Sequence, residues 1–238
     1  MRLTSVLGLL LALLVLAGCG DTGGKIAEGA DTTEQTATDE QTATDEQTAT
    51  DEQATTEEDP GPAVDDVLPP GGSVPDVEGL ALEEAAGAAG CELMSFKGKS
   101  RLHTGDEDEA IDYPSSPPTS GKHLAIPAED AAYISAPDEK ALVHSLEHGR
   151  VVVWFKADLP DQARASLRAF YEDDPLQTLL TPDETGSDYE VSATAWNRDP
   201  QPNGTGRLLG CESYTPKVFE ALEAFRKKHR ARGPEAIP

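Results

Sequence analysis

Ala141-Leu-Val-His144-Ser-Leu-Glu147-His148-Gly149-Arg150-Val151-Val-Val-Trp-Phe155 is the stretch on which the fold turns. His144 and His148 are four residues apart, so a helix over 141–148 places both on one face. Gly149 follows, where a chain reversal is easy. Val151 to Phe155 is β-branched and aromatic and reads as a strand. Helix, glycine and strand within fifteen residues point to a mixed architecture. In the competing reading a strand runs through the whole segment, and the two histidines again share a face but lie farther apart.

Downstream, Asp161 to Glu172 carries Ala163, Leu167 and Phe170 at helical spacing, with Pro160 suited to the first turn. Tyr189 to Trp196 alternates as a second strand, and Arg207 to Ser213 reads as a short third strand carrying Cys211. Thr215-Pro216 starts a last helix, with Thr215 as N-cap. That helix shows Val218, Leu222 and Phe225 on one face and the cations Arg226-Lys-Lys-His-Arg230 in its final turn, favourable at the negative end of the dipole. Gly233-Pro234 stops it. Upstream, a helix over 81–89 ends at Gly90, just before Cys91. Residues 104–122 are polar and turn-rich, and Pro117-Pro118 enforces extended backbone on the way to His123. The expected fold is one α+β domain over 76–238, a small antiparallel sheet with two or three helices. It is long enough to enclose a single core.

The N-terminus has a short positive start, an apolar run from Val6 to Leu16, and small residues up to Cys19, the pattern of a secretory signal. Leu16-Ala17-Gly18-Cys19 resembles a bacterial lipobox. Residues 1–18 are therefore expected to be a signal peptide, with Cys19 lipidated and the chain held on the outer face of the cell membrane. Residues 20–75 form an expected disordered acidic tether. Gln-Thr-Ala-Thr-Asp-Glu is written three times from Gln35 to Glu52, followed by Pro- and Gly-rich sequence with little to bury. Of the formal net charge of −25, residues 20–84 supply −18, with nineteen acidic side chains and one lysine, and residues 85–238 supply −8. The acidity is mostly tether. The balance excludes nucleic acid as a partner, which needs clustered Lys and Arg. The remaining cysteines, Cys91 and Cys211, are an even pair in an exported chain, which points to a disulfide. Two free thiols or a thiolate metal site are the alternatives.

The chain has five histidines, and four of them, His103, His123, His144 and His148, fall in one window. Imidazole is the commonest protein metal ligand and the usual proton shuttle near neutral pH. Three readings follow. In the first, His123, His144 and His148 hold zinc or copper(II), with His103 or Glu147 completing the shell or orienting it. Copper(I) fits poorly, because the chain has only two methionines. In the second, Glu147 and a histidine act as a hydrolase-like acid/base pair, with or without metal. In the third, the histidines join loop to helix in a structural or partner-binding envelope domain, and Glu147 pairs with Arg150 or a backbone amide. The zinc-protease helix does not match, since there Glu follows the first His and here Glu147 precedes the second. No nucleophile elbow, phosphate loop or dinucleotide fingerprint occurs. Trp154 and Trp196 read as core, and His229 as a surface residue.

Pro117-Pro-Thr-Ser-Gly-Lys-His123, Val143-His-Ser-Leu-Glu-His-Gly149, Val151-Val-Val-Trp154, Ala193-Thr-Ala-Trp196 and Leu209-Gly-Cys211 occur in this order. The set resembles an uncharacterised domain family of exported and membrane-anchored proteins, mainly actinobacterial, that carries Pro-Pro-Thr-Ser-Gly-x-His and His-Ser-Leu-Glu-His-Gly motifs. The resemblance runs from about Ala85 to Glu235. His103 and Cys91 also stand where that family has a histidine and a Gly-Cys pair, whereas Lys122 replaces a more usual proline. The resemblance implies the domain limits, export and a role for these histidines. It implies no activity.

Overall fold

The fold was analysed in a computed structural model, which describes residues 64–235. The expected signal peptide, the lipidated Cys19 and the acidic repeats lie outside the described residues. Among the described residues no helix is long and apolar enough to cross a membrane.

Helix α1 (Val64–Val67) and helix α2 (Leu82–Ala89) precede strand β1 (Glu92–Lys97). Two short strands follow, β2 (His103–Thr104) and β3 (His123–Leu124), then helix α3 (Glu139–Glu147) and strand β4 (Val151–Phe155). Helix α4 (Asp161–Asp173), strands β5 (Thr178–Pro182), β6 (Val191–Asn197) and β7 (Thr205–Cys211), and helix α5 (Val218–His229) complete the chain. The main sheet has the order β1-β7-β6-β4-β5 and is antiparallel except for the β4–β5 pair. The fold is α+β, as the sequence predicts, with β4-α4-β5 inserted as one parallel crossover.

All five residues of β4 are buried because the sheet is covered on both faces. Val151, Val153 and Phe155 point into a core shared with α2, α4 and α5, through residues such as Leu82, Leu167 and Phe225. Val152 and Trp154 alternate to the other face and meet Leu142, Val143 and Leu146 of α3, together with Trp196. Trp154 Nε1 donates to Thr194 Oγ1 at 2.9 Å, and Trp196 Nε1 to the Asn203 carbonyl at 2.6 Å. Both tryptophans are core, as expected. Cys91 and Cys211 form the disulfide, joining the end of α2 to the end of β7 across 120 residues.

Three expectations are corrected. The tether was expected to run to residue 75, but over 64–75 the chain packs on the domain. Leu68 is buried, Arg164 donates to the carbonyls of Asp66 and Val67, and Arg168 donates to that of Leu68. One apolar hook and two arginines hold a segment whose composition alone could not order it. Thr215 is not the cap of α5, because its Oγ1 is buried without a partner and the N-cap is Lys217. The cationic end of α5 is not all surface. Arg226 is buried, with its guanidinium 4.1 Å from the centre of the Phe170 ring.

His229, expected at the surface, is also buried, and its Nδ1 accepts from Asn197 Nδ2 at 3.0 Å. Burial, reinforced by Arg207, Lys228 and Arg232, pushes its pKa from 6.5 down to about 4. Its folded pKa lies below its unfolded one, so the neutral ring stabilises the fold fully above about 6.5. That contribution is lost as pH falls toward 4. It amounts to about 2–3 kcal/mol by linkage. Between pH 7 and pH 4.5, urea unfolding should show the wild-type chain losing about 2–3 kcal/mol more than His229→Gln, since His144 contributes equally to both. Equal pH dependence in the two would show that His229 does not carry it.

Candidate metal centre

The site is assembled on the α3 face of the sheet by three short pieces of chain. β2 pairs parallel to β3 with His103 opposite His123, which brings two imidazoles side by side. The His123 amide donates to the Leu102 carbonyl at 3.2 Å, fixing that register. Helix α3 supplies His144 and Glu147. It is capped at its start by Asp138, whose carboxylate accepts from the Lys140 amide at 2.7 Å. The expected helix is therefore present, and His148 is its C-cap.

Gly149 takes φ +85°, a left-handed conformation that lets the chain turn at once into β4. A Cβ there would lie 2.9 Å from the amide nitrogen of Gly233, because the C-terminal segment runs against this turn. The Ala231 amide donates to the Gly149 carbonyl at 2.8 Å, and the Glu235 amide to the Glu147 carbonyl at 3.0 Å.

The rings of His103, His123 and His144 form a near-equilateral triangle, with centroids 4.8–4.9 Å apart. His123, His144 and Glu147 are buried, and His103 is at the solvent edge. His123 also stands edge-on to Trp196, at 6.1 Å between centroids.

Backbone carbonyls fix the tautomers. His123 Nδ1 lies 2.7 Å from the Gly121 carbonyl, and His144 Nδ1 lies 2.7 Å from the Leu124 carbonyl. A carbonyl only accepts, so each Nδ1 carries a hydrogen, and Nε2 is the ring atom left to bind a proton or a cation. His123 Nε2 is 3.0 Å from Glu147 Oε2 but is not aligned for a hydrogen bond, and it has no other partner. His144 Nε2 is 2.9 Å from His148 Nε2, so in the apo protein His148 must donate there.

Burial, with the nearby His148 and His123, pushes the pKa of His144 down to about 4, so the ring is neutral at physiological pH. Burial and Arg150 likewise lower His148. Burial works to raise Glu147, but His123 and Arg101 outweigh it and hold the carboxyl below the usual carboxylate range. Arg101 Nε donates to Glu147 Oε1 at 2.5 Å.

His103, His123, His144 and Glu147 can hold a metal ion, since one ligand atom from each lies within 4.8 Å of all the others. His148 falls into an adjoining group with His144 and Glu235. Glu147 does not pair with Arg150, which instead bonds Asp130 Oδ1 at 3.1 Å. Arg101 and Glu235 were not singled out in the sequence. Arg101 stands two residues before His103, on the same side of an extended chain, and that spacing was a usable signal. For Glu235 the sequence holds none, because the turn back to Glu147 is a tertiary event.

A family model described as "Protein of unknown function (DUF3105)" matches residues 104–237. No curated protein and no solved structure matches the chain.

Proposed function

The chain belongs to the DUF3105 family of proteins of unknown function, and from that premise we propose that its domain is a transition-metal-binding module, for zinc or copper(II), displayed outside the cell membrane. The observation that carries this reading is the convergence of lone pairs. His123 and His144 have their Nδ1 hydrogens committed to backbone carbonyls, so Nε2 is left on each ring; that of His123 lies beside the buried Glu147 carboxylate and that of His144 beside His148 Nε2. Two lone-pair atoms facing each other at 3.0 Å are repulsive unless a proton or a cation lies between them.

Three imidazoles and one carboxylate suit zinc or copper(II). Copper(I) is disfavoured, since two cysteines are closed in the disulfide and methionine is scarce. A tetrahedral zinc site with bonds of about 2.0–2.1 Å needs ligand atoms roughly 3.3 Å apart, so loading would draw the side chains inward. His103, the one exposed ligand, is the side chain freest to move. The extracytoplasmic setting rests on the leader pattern, on Cys19 as a lipid attachment point, and on a disulfide of the kind that persists in oxidising compartments.

Equilibrium dialysis of the full chain against zinc tests the reading. It predicts about one zinc per chain. His144→Ala and Glu147→Gln should each weaken binding by at least the roughly 10–100-fold that loss of a supporting partner costs. Unchanged affinity in both variants would place the ion elsewhere and refute the reading.

A further inference from the structure

The cluster contains two candidate ligand sets, and they share one residue. His144 joins His103, His123 and Glu147 on one side and His148 and Glu235 on the other. Its Nδ1 is committed to the Leu124 carbonyl at 2.7 Å, so only the Nε2 lone pair remains to be given. One lone pair serves one ion, so the two sets cannot both be filled through His144.

We propose that His148 and Glu235 form a second, shallower metal position that shares His144 with the buried one, and that zinc passes through it on entering and leaving. The inference rests on the metal-binding reading above. Three observations carry it. The first is a gradient of burial. The side chains of His123 and Glu147 are 0% and 1% exposed, whereas those of His148 and Glu235 are 10% and 42% exposed. The second is proximity. His148 Nε2 lies 2.9 Å from His144 Nε2 and 4.0 Å from Glu235 Oε2, so an ion held outside stays within one ligand exchange of the inner set.

The third observation is that Glu235 is placed, not trailing. Its amide is bonded to the Glu147 carbonyl at 3.0 Å, and the Arg198 amide is bonded to the Arg232 carbonyl at 2.8 Å. Gly233 between them packs so closely that a Cβ would lie 2.1 Å from the Glu147 carbonyl oxygen.

The exchange balances. His144 remains bonded throughout, and each position contributes one carboxylate, so the ion always has an anion beside it. His148 donates from Nε2 in the apo state, so to bind there it must move that hydrogen to Nδ1 through solvent. No proton is gained or lost overall. His103 offers a rival route, because it too is exposed.

The test is the rate at which the zinc-loaded full chain gives up metal to excess chromogenic chelator, and the rate at which the apo chain reloads from free zinc. Glu235→Gln and His148→Gln should each slow both rates by about tenfold or more while about one zinc per chain is still held. The Glu235 side chain is 42% exposed, so its variant tests the route without endangering the core. Unchanged rates in both variants would overturn the inference and leave the route past His103. Two zinc ions held at once would overturn the sharing of His144. Loss of zinc stoichiometry in His148→Gln would make His148 a ligand of the buried position, against the inference. A wild-type chain that takes up no zinc would refute the metal-binding reading itself, and this one with it.

Discussion

His123→Ala is expected to abolish metal retention and to destabilise the metal-free fold at the same time. His123 is fully buried at the centre of the cluster, where it lines up with His103 across β2–β3 and faces Glu147 at 3.0 Å. Truncation removes an inward Nε2 lone pair and leaves the Gly121 carbonyl without its donor. Glu147, 1% exposed, then keeps Arg101 as its ion-pair partner. Cutting a fully buried side chain back to Ala costs about 2–5 kcal/mol through the cavity it leaves, and an orphaned buried acceptor costs about 1–3 kcal/mol. The two overlap and do not simply add. A loss of roughly 4 kcal/mol is expected in the metal-free protein, read as a shift of the urea midpoint. In the wild type, added zinc should raise the melting temperature, and in His123→Ala it should not. A variant that melts lower yet still gains stability from zinc would show that His123 is structural and not a ligand.

Opening the disulfide is the second large effect. Cys91–Cys211 closes 120 residues, a loop that holds every strand of the main sheet together with α3 and α4, while α2 and α5 flank it. The chain-entropy relation gives about 5 kcal/mol for a loop of this length. A domain of this size shifts its melting temperature by about 2–4 °C per kcal/mol. Cys91→Ala/Cys211→Ala should therefore melt some 10–20 °C below the parent under non-reducing conditions. Reduction should bring the parent down to the variant and leave the variant unchanged. The bond also fixes β1 beside β7, because Cys91 directly precedes β1 and Cys211 ends β7. Equal melting of parent and variant would show that the non-covalent core alone holds these elements.

Much of this architecture could be read from the sequence, for definable reasons. The helix-glycine-strand segment was legible because each step has its own signal. The histidines keep helical spacing, Gly149 permits the left-handed turn, and Val151–Phe155 is continuous apolar chain of the kind buried on both faces. The cysteine pairing is legible from the leader pattern and from the even number of cysteines left after Cys19. Other parts carried weak signals. β5 has Thr at two positions and ends in Pro182, so its burial comes from the parallel crossover and not from any alternation. β1 alternates only faintly, because an edge strand exposed on much of its surface is not forced into an apolar pattern. The β2–β3 ladder is two residues long, below the reach of any periodicity, yet it aligns His103 with His123.

For the site, the sequence indicated which residues gather but not how they divide. His144 and His148 do share a helix face, but His148 caps the helix and turns toward Glu235, while Glu147 swings to His123 and Arg101. That division depends on the C-terminal segment folding back across Gly149, a long-range contact with no local trace. The misplacement of His229 has the same origin. A cationic helix end normally faces water, but here Phe170 and Asn197 supply partners from distant elements.

The measurement that bears most directly on the metal centre is elemental analysis of the full chain, exported so that its disulfide forms and purified without chelators, beside His123→Ala and His144→Ala. The account predicts about one zinc or copper per wild-type chain and none in either variant, with the variants still folded by circular dichroism. A folded wild-type chain that carries no metal, and takes up none when dialysed against zinc or copper(II), would contradict it.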